Sequence, residues 1–167
     1  TLFGFQYFGV EPHALCLAKG MGGGMPIGAL VSNPQHINKL NKSPTFNQLT
    51  TFGGNPVCCA ASLATLRELT SSNLLSTVSE KSLLFQKGLQ HSHIVGVDIT
   101  GLAIAVEFKT EKDALNVFQL LLESGVLCFF FLAAKRKLRL SPPLTISKVE
   151  INKACQAFQK AYNQCLA

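Results

Sequence analysis

Apolar residues fall in two rhythms along this chain, and the change between them marks its organisation. The first third has short unbroken runs set between glycines. Ala14-Leu-Cys-Leu-Ala18 lacks alternation and is bounded by turn signals, which predicts a fully buried strand. It runs straight into Lys19 and then Gly20-Met-Gly-Gly-Gly-Met25. Ile27 to Val31 reads as the next strand, followed by a short helix around Gln35 to Leu40 and a loop reaching Gln48. Asn55 is a good helix cap and Pro56 suits the first helical position, so a helix is predicted from about Pro56 to Thr70. Its alanines, cysteines and leucines make it apolar on most faces, and it is expected to be buried.

After Ser71-Ser-Asn73 amphipathic periods take over. Leu74, Val78, Phe85 and Leu89 predict a helix from about Leu74 to Gln90. Val95 to Phe108 carries strand patterns, with Leu102, Ile104, Val106 and Phe108 on one face. Thr110 with Asp113 marks a helix start, and Ala114, Leu115, Phe118, Leu121 and Leu122 supply its apolar stripe. Val126 to Leu132 reads as a buried strand and Leu138 to Leu140 as a short one ending at Pro142-Pro143. Ser147 and Glu150 form a capping box for the last helix, whose core stripe is Ile151, Ala154, Cys155, Phe158, Ala161 and Tyr162. Strands alternate with helices throughout, which is an α/β pattern, and the boundary near residues 71–73 divides it into 1–72 and 73–167.

Composition narrows the function classes. Apolar residues make up 47% and charged residues 14%, enough for a buried core and unlike a disordered chain. The formal charge is +6, but basic residues cluster only at Lys135, Arg136, Lys137 and Arg139. That group reads as a solvated loop, and it falls short of the broad basic face of a nucleic-acid binder. The longest apolar stretch, Val126 to Ala134, is far short of the roughly twenty residues that span a bilayer, so no membrane association is expected. None of the six cysteines forms a C-x-x-C pair. A reduced, cytoplasmic protein accounts for them better than a disulfide framework or a zinc site, and no metal is expected. The chain begins at Thr1 with an aromatic-rich stretch and reads as a piece cut from a longer protein.

Three features carry candidate chemistry. Lys19 stands at the end of the predicted buried strand. Burying an ammonium is costly, and a desolvated lysine loses its proton more readily and becomes a nucleophile. The glycines at 20, 22, 23 and 24 leave space beside it for an imine to form. A snorkelling lysine before a flexible turn is the plainer alternative. A nucleotide-binding reading fails on detail: no G-x-x-x-x-G-K-[ST] is present, and Met25 stands where a dinucleotide fingerprint needs its third glycine. Thr50 and Thr51, before Gly53-Gly54 and a helix start, make either an anion site suited to phosphate or an ordinary capped turn. Arg139 alternates with Leu138 and Leu140, so it faces away from the core, either to solvent or to a cleft where it grips a carboxylate.

Together these pieces resemble one family. Leu17-Ala-Lys-Gly-Met-Gly-Gly-Gly-Met-Pro-Ile-Gly-Ala29 looks like the cofactor-lysine signature of the class III pyridoxal-phosphate-dependent aminotransferases. Thr50-Thr-Phe-Gly-Gly-Asn-Pro56 resembles their second signature, and Leu138-Arg-Leu-Ser-Pro-Pro-Leu-Thr-Ile-Ser147 their carboxy-terminal segment. Ornithine and acetylornithine aminotransferases are the most similar in kind. The resemblance implies the pyridoxal-phosphate-dependent transferase fold of the aspartate aminotransferase type. Residues 1–72 would be the carboxy-terminal part of the cofactor-binding large domain, and 73–167 the small α/β domain. It implies that Lys19 is the catalytic residue and holds pyridoxal 5'-phosphate as a Schiff base. Thr51 would bind the cofactor phosphate across a homodimer interface, and Thr50 would lie beside it near phosphate or substrate. Arg139 would stand near the substrate end of the site and meet a carboxylate or a switching carboxylate partner.

The implied reaction moves an amino group from a small-molecule amino donor, an amino acid or ω-amine, to a 2-oxo acid acceptor, with the freed Lys19 shuttling the proton. An aminomutase of the same family and a non-catalytic scaffold retaining the fold are the alternatives. His13 stands where the family commonly has an aspartate, and Asp98-Ile-Thr-Gly-Leu102 replaces a usual arginine-glycine-x-glycine-leucine turn. The family's remaining cofactor contacts lie upstream of this sequence, so the 167 residues alone are expected to be inactive.

Overall fold

A computed structural model describes residues 1–41 and 49–165, which gather into two compact units, Thr1–Leu75 and Ser76–Ala167. In the first unit the short helix α1 (Gly4–Tyr7) precedes strand β1 (Ala14–Leu17), which pairs antiparallel with β2 (Ala29–Ser32) from Ala14↔Ser32 to Leu17↔Ala29. The predicted second strand thus starts two residues late. Helix α2 (Pro34–Ile37) is capped by Asn33, whose Oδ1 accepts from the His36 N–H at 3.0 Å, and a 3-10 turn covers Asn38–Asn41. The loop read from there to Gln48 lies outside the described residues.

Helix α3 (Pro56–Ser71) begins where its cap and proline said it would. Asn55 Oδ1 accepts from the Val57 N–H at 3.0 Å and the Cys58 N–H at 3.3 Å. Two burial expectations are corrected here. β1 alternates exposed and half-buried positions, because it has one partner strand among the described residues and two open faces. Along α3 only Cys58 and Ser62, one turn apart, are buried, and Val57 and Leu63 are exposed. One stripe of the helix lies on the glycine-rich turn between the strands; its other apolar faces are uncovered within this unit.

The second unit is a four-stranded antiparallel sheet in the order β3-β4-β6-β5 with helices α4 (Val78–Gly88), α5 (Glu111–Glu123) and α6 (Lys148–Cys165). β3 (Ile94–Thr100) and β4 (Ala103–Phe108) form a hairpin closed at Thr100↔Ala103. Gly101 adopts φ 60 in that turn, so the departure from the family pattern at 98–102 still yields a tight turn. The predicted face Leu102, Ile104, Val106 and Phe108 is buried throughout. Leu138 and Leu140 of β6 (Ala134–Leu140) join it, and so do Phe85, Val117, Leu121, Phe158 and Tyr162 of the helices and Leu89 at the end of α4. Both capping boxes form: the Thr110 hydroxyl accepts from the Asp113 N–H at 3.1 Å, and the Glu150 carboxylate accepts from the Ser147 N–H at 2.8 Å.

Three expectations fail in this unit. The α5 stripe runs Ala114, Val117 and Leu121, leaving Leu115 and Leu122 exposed. The strand predicted over 126–132 shrinks to β5 (Phe129–Phe131), with Cys128 buried but Leu127, Phe129 and Leu132 exposed. β5 is an edge strand whose register shifts between Phe130 and Phe131, so an apolar run there does not imply a buried strand. The basic cluster is not a loop but part of β6. Lys137 pairs with Asp98 at 3.0 Å and Glu107 at 3.1 Å, and Arg136 with Glu107 at 3.2 Å.

Candidate functional site

Lys19 opens a 3-10 turn, Lys19–Gly22, directly after β1. Its φ is 54, and no other non-glycine residue among the described ones has a positive φ. A side chain in the left-handed region costs on the order of 1 kcal/mol or more, and residues held there cluster at functional sites. Contrary to the sequence expectation, Lys19 is exposed, since the strand that delivers it is itself only half-buried; this unit does not desolvate it.

The glycines beside Lys19 divide by role. A Cβ on Gly20 would meet no atom within 4 Å, so space is open next to the lysine. A Cβ on Gly22 would press on Ile27 Cγ2 at 2.9 Å, and one on Gly23 would overlap the Thr65 hydroxyl of α3. These two glycines therefore serve close packing of the turn against Ile27 and α3 and do not clear ligand space, as the sequence reading had it.

Thr50 and Thr51 are exposed, on the turn that leads into α3. The Gly53 N–H donates to the Thr50 carbonyl at 3.3 Å, and the Asn55 N–H to the Phe52 carbonyl at 3.2 Å. At the helix start Pro56 has no N–H, Val57 and Cys58 donate to Asn55 Oδ1, and Cys59 donates to the Asn55 carbonyl at 2.9 Å. Of the two alternatives for this turn, the helix-start N–H groups of Val57, Cys58 and Cys59 follow the capped one, since Asn55 takes them. Thr50 and Thr51 themselves stay exposed, so their hydroxyls are open to a ligand on this turn.

Arg139 belongs to the second unit. Its neighbours Leu138 and Leu140 are buried while it is exposed, as the alternation required. The β5–β6 register sets it opposite Phe129, with the guanidinium carbon 5.8 Å from the ring centroid, a cation–π contact. Phe129 was not legible as its neighbour, since only the strand pairing brings them together. Arg139 lines a cleft of about 590 Å³ with Phe85, Pro142, Pro143, Ile146 and Lys153, among others.

The remaining reactive side chains are less suited to chemistry. Burial pushes the Cys128 and Cys155 thiols up to about 11, which keeps them protonated and unreactive. All six cysteines are unpaired. His13 is exposed; the Ser32 hydroxyl donates to its carbonyl at 2.6 Å, and its ring lies 5.9 Å from that of His36. Among the described residues no three His, Cys, Asp or Glu side chains gather to hold a metal ion, and no helix is long and apolar enough to cross a membrane.

Known proteins share both the sequence and the fold. The family model for class III aminotransferases matches residues 1–162. An acetylornithine aminotransferase of Caldanaerobacter subterraneus subsp. tengcongensis is 38% identical over 159 residues, covering 93% of this chain and 39% of that protein. A putrescine aminotransferase of Pectobacterium atrosepticum is 36% identical over 154 residues, 88% of this chain and 33% of that one. The ornithine aminotransferase of Toxoplasma gondii superposes with a TM-score of 0.87 at 26% identity, over 98% of this chain and 40% of that structure. An amine transaminase from an uncultivated Pseudomonas species, in its PLP-bound internal aldimine form, does so with a TM-score of 0.82 at 26% identity, over 98% and 41%. The chain thus spans between a third and about two fifths of the length of these relatives. Over nearly all of its own length, this chain belongs to the class III aminotransferase family and has the fold of its pyridoxal-phosphate-dependent transaminases.

Proposed function

We propose that these residues form the carboxy-terminal part of a pyridoxal-phosphate-dependent aminotransferase, in which Lys19 holds the cofactor. Residues 1–72 contribute to the cofactor-binding large domain, and 73–167 form the small domain. The observation that carries the reading is Lys19 itself: an exposed primary amine in a left-handed backbone conformation, with open space at Gly20. The residues present fit the group, since an amine can condense with its aldehyde and the exposed Thr50 and Thr51 hydroxyls can donate to its phosphate. When bound, pyridoxal 5'-phosphate supplies an electron sink that lets the amino-bearing carbon of a substrate lose a proton.

The chain's own part in the reaction follows from its side chains. Lys19 Nζ anchors the cofactor and, once displaced by the donor amine, takes and returns the proton as a free base. The Thr51 hydroxyl donates to the phosphate of the partner subunit's cofactor, with Thr50 beside it, so the working unit is a homodimer with the site at its interface. Arg139, beside the Phe129 ring, meets a carboxylate of the amino donor or the 2-oxo acid. The donor class is an amino acid or ω-amine of the ornithine or acetylornithine kind. Six unpaired cysteines support a reducing, cytoplasmic setting. The 167 residues alone do not transaminate.

Borohydride trapping tests the proposal. The full-length protein, reduced with pyridoxal 5'-phosphate present, is expected to carry the label on the peptide containing Lys19. A label on another lysine, or none, overturns it. An assay coupled to 2-oxoglutarate consumption separates an aminotransferase from an aminomutase, which needs no external acceptor.

A further inference from the structure

In the second unit one cation is buried without a carboxylate. Lys81 sits on the inward face of α4 and is 9% exposed. It occupies a core position of the helix stripe, three residues after Val78 and four before Phe85, where an aliphatic side chain would be ordinary. None of the ion pairs among the described residues includes it. Its Nζ donates instead to the backbone carbonyl of Leu144 at 2.5 Å. An amine at a core position gains nothing over an aliphatic side chain unless it makes its bond, so filling space is a poor account of a lysine here.

The acceptor belongs to the segment that joins β6 to α6, immediately after Arg139. Pro142 and Pro143 have no N–H, so this segment has carbonyls in excess of donors. The Ile146 N–H satisfies the Pro143 carbonyl at 3.0 Å, and Lys81 reaches across to that of Leu144. The neighbouring residue of α4, Glu80, pairs with Lys148 at the start of α6. Two consecutive residues of α4 thus hold the middle of the segment and the first residue of the helix that follows it. The same cleft is lined by Arg139, by Pro142, Pro143 and Ile146 of the segment, and by Phe85 one turn along α4 from Lys81.

We infer that Lys81 is a positioning residue for carboxylate recognition: its hydrogen bond to Leu144 fixes the Pro142–Ile146 wall against the strand that carries Arg139. The inference rests on the reading that Arg139 meets a carboxylate. A neutral side chain of similar length at position 81 leaves the Leu144 carbonyl unpaired and frees the wall, while Arg139 stays where the sheet holds it.

The test compares Lys81→Met, Arg139→Gln and Val117→Ala in the full chain; the last is a core truncation in α5, on a residue that does not line the cleft. Hydrogen exchange is read at the amides of residues 144–147, and 2-oxoglutarate affinity by NMR titration. Lys81→Met is expected to speed exchange in the segment by about tenfold, with the amides of Val106 and Leu138 unchanged. It is also expected to weaken the dicarboxylate by about threefold or more. Val117→Ala should lower stability without either effect. Unchanged exchange at 144–147 in Lys81→Met overturns the inference. So does a freed segment with unchanged affinity while Arg139→Gln abolishes binding. If Arg139→Gln leaves affinity untouched, the reading of Arg139 falls and takes the inference with it, whatever the segment does.

Discussion

Gly23 and Thr65 pack so closely that a Cβ on Gly23 would overlap the Thr65 hydroxyl, which donates to the Ala61 carbonyl at 2.9 Å. Gly23 also has φ 57, so an added side chain would meet strain and overlap together. Gly23→Ala is expected to destabilise the first unit by about 2 kcal/mol or more. Gly20→Ala, next to Lys19 but facing open space, should stay within about 0.5 kcal/mol of the parent. Urea unfolding of the two variants checks the contrast; equal losses would contradict the packing role assigned to Gly23.

Lys19 is expected to trade stability for chemistry. Lys19→Gly relieves the left-handed backbone and should raise stability by about 1 kcal/mol while removing the amine. Lys19→Val, branched at Cβ, should lower it by about 1–2 kcal/mol. Thermal unfolding of both variants, with cofactor trapping in the full-length protein, reads the two effects separately.

The start of α3 depends on one amide side chain. Asn55→Ala removes the acceptor for two helix N–H groups and should cost about 1 kcal/mol, with helicity lost from the first turn. Asn55→Asp should keep most of the cap. Circular dichroism and urea titration measure both.

Acid should loosen the start of α6 through Glu150. Hydrogen bonds from the Ser147 N–H and hydroxyl hold its carboxyl below the ordinary 4.5. A depressed folded-state value means that the contribution is complete above the ordinary value and is lost as pH falls through the lower one. Glu150→Gln keeps a capping acceptor but cannot titrate, so its stability should change less between pH 5 and pH 3 than the parent's, by roughly the contribution of this single group. Parallel pH slopes in the two proteins would contradict this.

Local rules were enough for much of this protein. Asn55-Pro56, Thr110 with Asp113 and Ser147 with Glu150 specify helix starts because a cap is built from residues within one turn. The alternation of Ile104, Val106 and Phe108, and of Leu138, Arg139 and Leu140, specifies which side each residue faces, because a strand's period is two. The family signatures around Lys19 and Thr51 were legible for the same reason, each being a short contiguous run. Tertiary structure decided burial and partnership. β1, α3 and β5 are apolar in composition yet none is a buried element, because burial depends on what else lies nearby and not on a residue's own hydropathy. Phe129 opposite Arg139, Thr65 against Gly23 and Leu144 under Lys81 are contacts between segments far apart in the chain. Their partners are chosen by strand register and helix docking, which no local pattern encodes.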